Sequence, residues 1–296
     1  MLFPDEARTD NVKFRALLIW PFFGLAGLSA GRAPAASAAP SPAPALVFPA
    51  QRFRFDAGAP LVAPAGVGLD GTVCVGTVDG YVHALGSDGS YRWSRSVQGA
   101  VTHRPLFAGD LWYIATSASR IYALTRAGTL YWVFKPPVEV SSELSADAKG
   151  TLYFVGADRF LYGVSAHGGV SLRAALGEPK SGPNVAPDGA IWAENQAGTR
   201  IRVRGLEVQR LAPGAKPEFM FPDPEVLRDP EGHSWHGRAD GVLELRFAVD
   251  ASPSLLTLTH SPLFAPAWST TAHYAVLSSR SGLIFALDPV GVRPGR

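Results

Sequence analysis

The chain has 296 residues, with 27 lysines and arginines against 25 aspartates and glutamates; a formal charge of +2 argues against a nucleic-acid partner, which would need a basic excess. Thirty-one glycines, 25 prolines and no stretch that keeps a helical period exclude a helical bundle. One cysteine excludes an internal disulfide, which a domain of about 250 residues does not need in order to hold a core.

Lys13 and Arg15 precede an apolar run over residues 16–30, and Ala36-Ser37-Ala38 supplies a small-x-small cleavage site. The run is short and contains Pro21, so residues 1–38 read as an export signal rather than a membrane span, despite the atypical acids Asp5, Glu6 and Asp10 ahead of it. The expected location is periplasmic or secreted, with no stable span in the mature form. No cysteine follows the run to carry a lipid. Losing Arg8, Lys13, Arg15 and Arg32 with those three acids leaves 23 basic against 22 acidic side chains. Residues 39–50, rich in alanine and proline, form a linker.

A strand with no hairpin partner of its own, Arg52-Phe53-Arg54-Phe55, comes next. Then a unit repeats about every 40 residues. Its first copy is Gly71-Thr72-Val73-Cys74-Val75-Gly76-Thr77-Val78-Asp79-Gly80-Tyr81-Val82-His83-Ala84-Leu85. Good copies begin at Leu111, Thr151 and Tyr274, and weak ones at Gly189 and His233. Each holds two apolar runs around a Gly, Asp or Ser turn, then a second turn and a further strand, marked by Trp93 and Trp132 in the first two units. A run with proline precedes most hairpins: Pro60-Leu61-Val62, Pro105-Leu106-Phe107, Pro183-Asn184-Val185, Pro262-Leu263-Phe264. The fold class is therefore all-β, a propeller of six four-stranded blades over residues 51–291 with a tail at 292–296. A seventh blade, also considered, would need about 40 further residues. The last copy lacks its fourth strand, and residues 52–55 stand where Trp93 and Trp132 stand, so the N-terminal strand is expected to close the ring.

The repeated Gly-x-x-Tyr-Val-Gly-x-x-Asp-Gly-x-x-Tyr-Ala-Leu pattern, followed by a glycine turn and a tryptophan, resembles the repeat of the pyrroloquinoline-quinone-like propellers. Units one, two, three and six carry it well, and units four and five poorly. That family holds quinone-dependent dehydrogenases and cofactor-free binding propellers, so the resemblance implies fold more than activity. The dehydrogenases resemble an eight-bladed ring with vicinal cysteines and a calcium site. The single Cys74 cannot supply such a pair, and no cofactor, metal or catalytic residue is expected. The other branch resembles the periplasmic propeller that assists assembly of outer-membrane β-barrels, an eight-bladed lipoprotein larger than this chain.

In a propeller, the loop leading into the innermost strand and the turn between the two middle strands open on one face. That geometry gathers His103, Arg104, Ser142, Glu143, Asn184 and His260 around a central funnel, with Asp79, Arg120, Asp158, Arg159 and Arg280 on its rim. The expected occupant is a protein bound by a monomeric scaffold, with a small ligand or glycan as the alternative and a quinoprotein oxidoreductase as the second alternative. His83 aligns with Tyr122, Tyr162 and Phe285 and reads as structural. His233 and His236, three apart on a predicted strand, face opposite ways and make a poor metal pair. Phe219-Met220-Phe221-Pro222 and Trp268 are read as core rather than as a contact patch.

Overall fold

The computed structural model describes residues 49–180, 182–186, 188–205, 207–213, 225–247 and 252–289. The leader, the linker and Phe219-Met220-Phe221-Pro222 lie outside the described residues except at 49–50. Among the described residues no helix is long and apolar enough to cross a membrane.

Six four-stranded antiparallel sheets follow one another as blades. From the innermost strand outward, blade one is β2 (Gly66–Val67), β3 (Val73–Gly76), β4 (Tyr81–Leu85) and β5 (Tyr91–Ser96). Blade two is β6 (Leu106–Ala108), β7 (Leu111–Thr116), β8 (Arg120–Thr125) and β9 (Leu130–Phe134). Blade three is β10 (Ser145–Ala146), β11 (Leu152–Val155), β12 (Phe160–Val164) and β13 (Val170–Ala175). Blade four is β14 (Asn184–Val185), β15 (Ile191–Glu194), β16 (Arg200–Arg204) and β17 (Glu207–Leu211). Blade five is β18 (Val226–Arg228), β19 (Ser234–Gly237), β20 (Val242–Arg246) and β21 (Ser254–Thr257). Blade six is β22 (Ala267–Ser269), β23 (Tyr274–Ser278), β24 (Leu283–Leu287) and, as its outermost strand, β1 (Gln51–Asp56).

The ring thus closes through the N-terminal strand. β1 runs antiparallel to β24, with Phe53 opposite Ala286 and Phe55 opposite Ile284. Arg52 adds a 2.8 Å bond to Asp288 and stacks 4.6 Å over the Tyr274 ring. Phe53 does in blade six what tryptophans do in blades one and two. Trp93 covers Gly128 and Trp132 covers Gly168, each indole donating at 2.7 Å to a carbonyl of the next blade's outer turn, Arg126 and Ala166 respectively. Phe53 covers Gly89 in the same way without that bond.

Blade stacking explains the apolar runs. Every residue of β3, β7, β11, β15 and β23 is buried, because a middle strand faces a neighbouring blade on each side and the polar alternation of a one-sided sheet is lost. The hairpin between the middle strands ends in all six blades on a left-handed residue: Gly80, Ser119, Arg159, Gly198, Gly241 and Gly282. Glycine takes four of those places because it adopts positive φ at no steric cost.

One alignment made on the sequence shifts. Leu106 pairs with Tyr113, and the equivalent residues of blades one and six are Gly66, opposite Cys74, and Ala267, opposite Val276. Pro60-Leu61-Val62 and Pro262-Leu263-Phe264 therefore lie ahead of their innermost strands, where Pro60 and Pro262 accept main-chain bonds from Val78 and Arg280. Pairing with the buried second strand sets the register, and a shared Pro-Leu does not.

Candidate functional site

The loops leading into the innermost strands are held against the middle turns by one repeated main-chain bond. Val78, Ser117, Ala157, Gln196 and Arg280 donate to Pro60, Ala100, Glu139, Glu178 and Pro262 at 2.8–3.0 Å. Isolated bridges follow at once: Val101 with Thr116, Val140 with Gly156, Pro179 with Asn195 and Leu263 with Ser279. Loops and turns so joined share one face of the ring, hereafter the upper face, and are rigidly placed on it.

Within that frame the six funnel residues take different positions. His103 and Arg104 follow the bridge at Val101, and Ser142 and Glu143 follow the bridge at Val140, so these two pairs are equivalent. Arg104 reaches across the front of blade one and donates to the carbonyls of Ala265 at 3.1 Å and Pro266 at 3.4 Å, clasping blade two to blade six. Burial lowers its pKa, and the charge of Glu143 works against that shift. His103, bonded to Thr102 Oγ1 at 2.9 Å, is also held below its ordinary value by burial, with Glu143 and Glu139 opposing. These interactions bring His103, Arg104 and Glu143 together. Ser142 is buried, accepting from the Val155 amide at 2.9 Å and donating to the Glu143 carbonyl at 3.0 Å, which makes it a brace inside the loop. Asn184 sits within β14, opposite Trp192, and caps Gly182 at 3.0 Å. His260 is exposed and stands three residues ahead of the bridge at Leu263. Glu143 and His260 are the exposed members of the six.

On the rim, Arg159 takes the left-handed turn position at φ 68° and pairs with Glu178 at 2.8 Å, while Asp158 accepts from Tyr162 at 2.6 Å and from Arg173 at 3.2 Å. Asp79 accepts from Thr77. A charge cluster of blade four was not anticipated: Glu194, almost fully buried at the end of β15, binds Lys180 and Arg200 at 2.9 Å each. The Lys180 hydrogen bond, with that from Arg200, outweighs burial and holds this carboxyl below the usual range. Its one sequence signal is an acid closing an otherwise apolar run. A cavity of about 630 Å³ opens between blades five and six; Glu225, His236 and Phe264 help line it, as do Arg238 and Asp240, which pair at 2.9 Å.

Asp229, Glu231 and His233 form a group of potential metal ligands within 4.8 Å of one another, on the first turn of blade five and so on the lower face. Asp229 accepts there from the His233 amide at 2.8 Å, from His233 Nδ1 at 2.9 Å and from Trp235 Nε1 at 3.0 Å, which is the work of a turn-closing aspartate. Pyrroloquinoline quinone, the cofactor in the name of the resembled family, finds no matching donor set among the described residues. Cys74 is fully buried in β3 with its thiol pKa pushed far up, Arg104 is spent on the Ala265 and Pro266 carbonyls, and that acidic group opens on the other face.

A family model described as outer membrane protein assembly factor BamB matches residues 45–199, about half of the chain. A curated BamB from Burkholderia pseudomallei (strain K96243) is 32% identical over 118 residues, a match spanning 39% of this chain and 30% of that protein. Among solved structures, BamB from Moraxella catarrhalis aligns over 81% of this chain and 87% of its own, at 16% identity and a TM-score of 0.49. A catalytically inactive virginiamycin B lyase from Staphylococcus aureus aligns over 80% and 99% at 11% identity, TM-score 0.61. The WD40 domain of Neurospora crassa Pan2 aligns over 83% and 97% at 12% identity, TM-score 0.59. A lyase and a WD40 domain have only architecture in common, so these two likenesses speak for the propeller alone.

Proposed function

The chain belongs to the PQQ-like propeller family of the outer membrane protein assembly factor BamB, and from that premise we propose that it is a non-enzymatic protein-binding scaffold of the bacterial cell envelope. Residues 1–38 would direct its export and 39–50 would tether the propeller. The observation that carries this reading is the upper face: loops from successive blades are pinned by a repeated main-chain bond and present Glu143 and His260 to solvent on a rigid ring. Rigid loops lose little entropy on binding, which suits a protein-docking platform.

Arg104 is unsuitable as a probe, since its substitution would open the clasp to Ala265 and Pro266. Glu143→Gln combined with His260→Glu changes both exposed side chains without setting a second cation against Arg104. In capture experiments from the exported fraction, the double variant is expected to lose a protein partner that the wild type retains, with an unchanged melting temperature. Retention of every partner would remove the upper face from the reading. Binding of a soluble glycan with no protein retained would favour the sensor alternative. Pyrroloquinoline quinone with calcium is expected to give no micromolar binding in calorimetry, and such binding would reopen the oxidoreductase alternative.

A further inference from the structure

Blade two is built differently from its neighbours on the lower face. Gly109 and Asp110, both left-handed at φ 56° and 67°, join β6 to β7 in a two-residue turn, where blade one uses residues 68–72 and blade three 147–151. Beside this short turn lies a hollow of about 670 Å³, lined by Asp110, Leu111, Thr125, Arg126, Ala127 and Tyr131. The residue ahead of the outer-strand tryptophan also differs. In blade one it is Arg92, which bonds the longer turn at Asp70 and Thr72 and is spent on the fold. In blade two it is Tyr131, and the turn aspartate, Asp110, is taken instead by Arg126 at 2.6 Å, itself 5.2 Å over the Phe107 ring. Tyr131 is left 52% exposed, with its hydroxyl 3.5 Å from His167 Nδ1 of blade three. Trp132, not Tyr131, makes the bond to the next blade, so packing of the propeller does not account for this exposed aromatic ring.

We propose that this hollow binds an uncharged pyranose ring of a glycan, laid on Tyr131 and held at its hydroxyls by Asp110 and Arg126. The face of an aromatic ring is negative, and the C–H bonds that cover one face of a pyranose are weakly positive, so the two stack while the hydroxyls at the sugar's edge stay free. Asp110 and Arg126 are both exposed and set acceptors and donors side by side, a combination that suits a hydroxyl, which is donor and acceptor at once. Their opposite charges select against an ion: an anion drawn to Arg126 meets Asp110, and a cation drawn to Asp110 meets Arg126. A wholly apolar ligand would strip water from that pair and return no hydrogen bond. The volume of the hollow lies in the range of small-molecule sites. It opens on the lower face, away from Glu143 and His260, so a sugar held there leaves the upper face free for a protein, and its failure leaves the scaffold reading standing.

The test titrates the whole chain with cellobiose, maltose and N,N′-diacetylchitobiose in calorimetry, three arms that separate β-linked, α-linked and N-acetylated sources of the same ring. Binding with a Kd of about 0.1–1 mM is expected in at least one arm. Tyr131→Ala should weaken it at least about tenfold, and Tyr131→Phe, which keeps the ring, by no more than about twofold. Asp110→Asn keeps a residue that tolerates the left-handed turn but loses the charge, and should weaken it about three- to tenfold. Raising salt from about 0.05 M to about 0.5 M should leave the Kd unchanged, as an uncharged ligand requires. Saturation-transfer NMR on the unaltered chain, a readout independent of whether any variant folds, should pass magnetisation from aromatic protons to the sugar's C–H protons. Absence of binding in all three arms, or equal binding by Tyr131→Ala, would overturn the proposal. A polyproline peptide that binds through Tyr131 while no disaccharide does would assign the hollow to a protein and equally overturn it.

Discussion

The junction between blades one and two and that between blades four and five show what a propeller needs from its sequence. Between one and two, Cys74, Val82, Val97 and Val101 meet Trp112, Ile114, Tyr122 and Leu124 in one buried cluster, with Trp93 laid over the outside. Comparable clusters join two to three, three to four, five to six and six to one. In blade four, Ala186, Ala190 and Trp192 gather only Leu211 of their own blade, and among the described residues no buried cluster spans to blade five. The outer strands differ in the same sense. Blades one, two and six set a large ring opposite alanine, in the pairs Trp93–Ala84, Trp132–Ala123 and Phe53–Ala286. Blade four pairs Gln209 with Arg202 there, and blade five pairs Ser254 with Leu245. A ring over a small residue leaves the aromatic free to reach the neighbouring blade, and neither the Arg202–Gln209 pair nor the Leu245–Ser254 pair offers such a ring.

The severest way to break the comparison is to remove a junction outright. Deleting residues 51–56 takes away the outer strand of blade six, together with Phe53 and the Arg52 contacts to Asp288 and Tyr274. Loss of the folded ring is expected, seen as loss of the cooperative melt and aggregation on size exclusion. A monomer with an unchanged melting temperature would show that closure through β1 is dispensable.

A smaller contrast comes from equivalent backbone conformations. An alanine at Gly128 would strain a residue at φ 76° and press its methyl to 2.6 Å from the Trp93 ring, so Gly128→Ala is expected to cost about 2–4 kcal/mol in urea melts. Gly198 of blade four has nearly the same φ, 77°, but its nearest neighbour, Pro213, stands 3.6 Å away, and Gly198→Ala should cost only about 1 kcal/mol. Equal costs would mean that the outer aromatics do not tie blades together. On the same logic, amides of β16 and β18 should exchange faster than those of β3, β7 and β11, since local opening starts where burial is least. Uniform protection around the ring would defeat that expectation.

The ring and its closure were legible because both rest on a local pattern repeated in register: a turn with a left-handed residue, two apolar strands, and a large residue placed to cover the next blade. Phe53 could be matched to Trp93 and Trp132 from sequence alone. The upper face was less legible. Arg104 is bound by two main-chain carbonyls 161 and 162 positions away, and carbonyls carry no sequence signature. In sequence His103 and His260 each stand two residues ahead of a Pro-Leu-Phe run, but strand pairing puts Leu263 level with Val101, five residues ahead of Leu106. The Asp229 group is not legible in the sequence, because its members come together around a turn, whereas the apolar pattern places His233 on a strand that in the structure begins at Ser234.

The finest effect expected is a pH dependence at the junction of blades six and one. His83 fills the place held by Tyr122, Tyr162 and Phe285, with Phe55 of the closing strand 6.0 Å away and Tyr81 6.2 Å away, ring centre to ring centre. Its buried Nδ1 has no hydrogen-bond partner among the described residues. Burial lowers its pKa from the ordinary 6.5, with Asp79 opposing. The folded chain therefore binds the His83 proton less readily than the unfolded chain does. The stability tied to the neutral ring is present above pH 6.5 and drains away as pH falls below it toward the folded value. His83→Phe keeps an aromatic in the slot, removes the unsatisfied nitrogen and cannot be protonated, so it should gain about 0.5–1 kcal/mol at neutral pH. It should also flatten the fall in stability between pH 7 and pH 5, though not abolish it, because burial lowers His103 in the same direction. Urea melts at both pH values on the wild type and the variant measure the difference, and parallel slopes would show that His83 does not make the closing junction sensitive to acid.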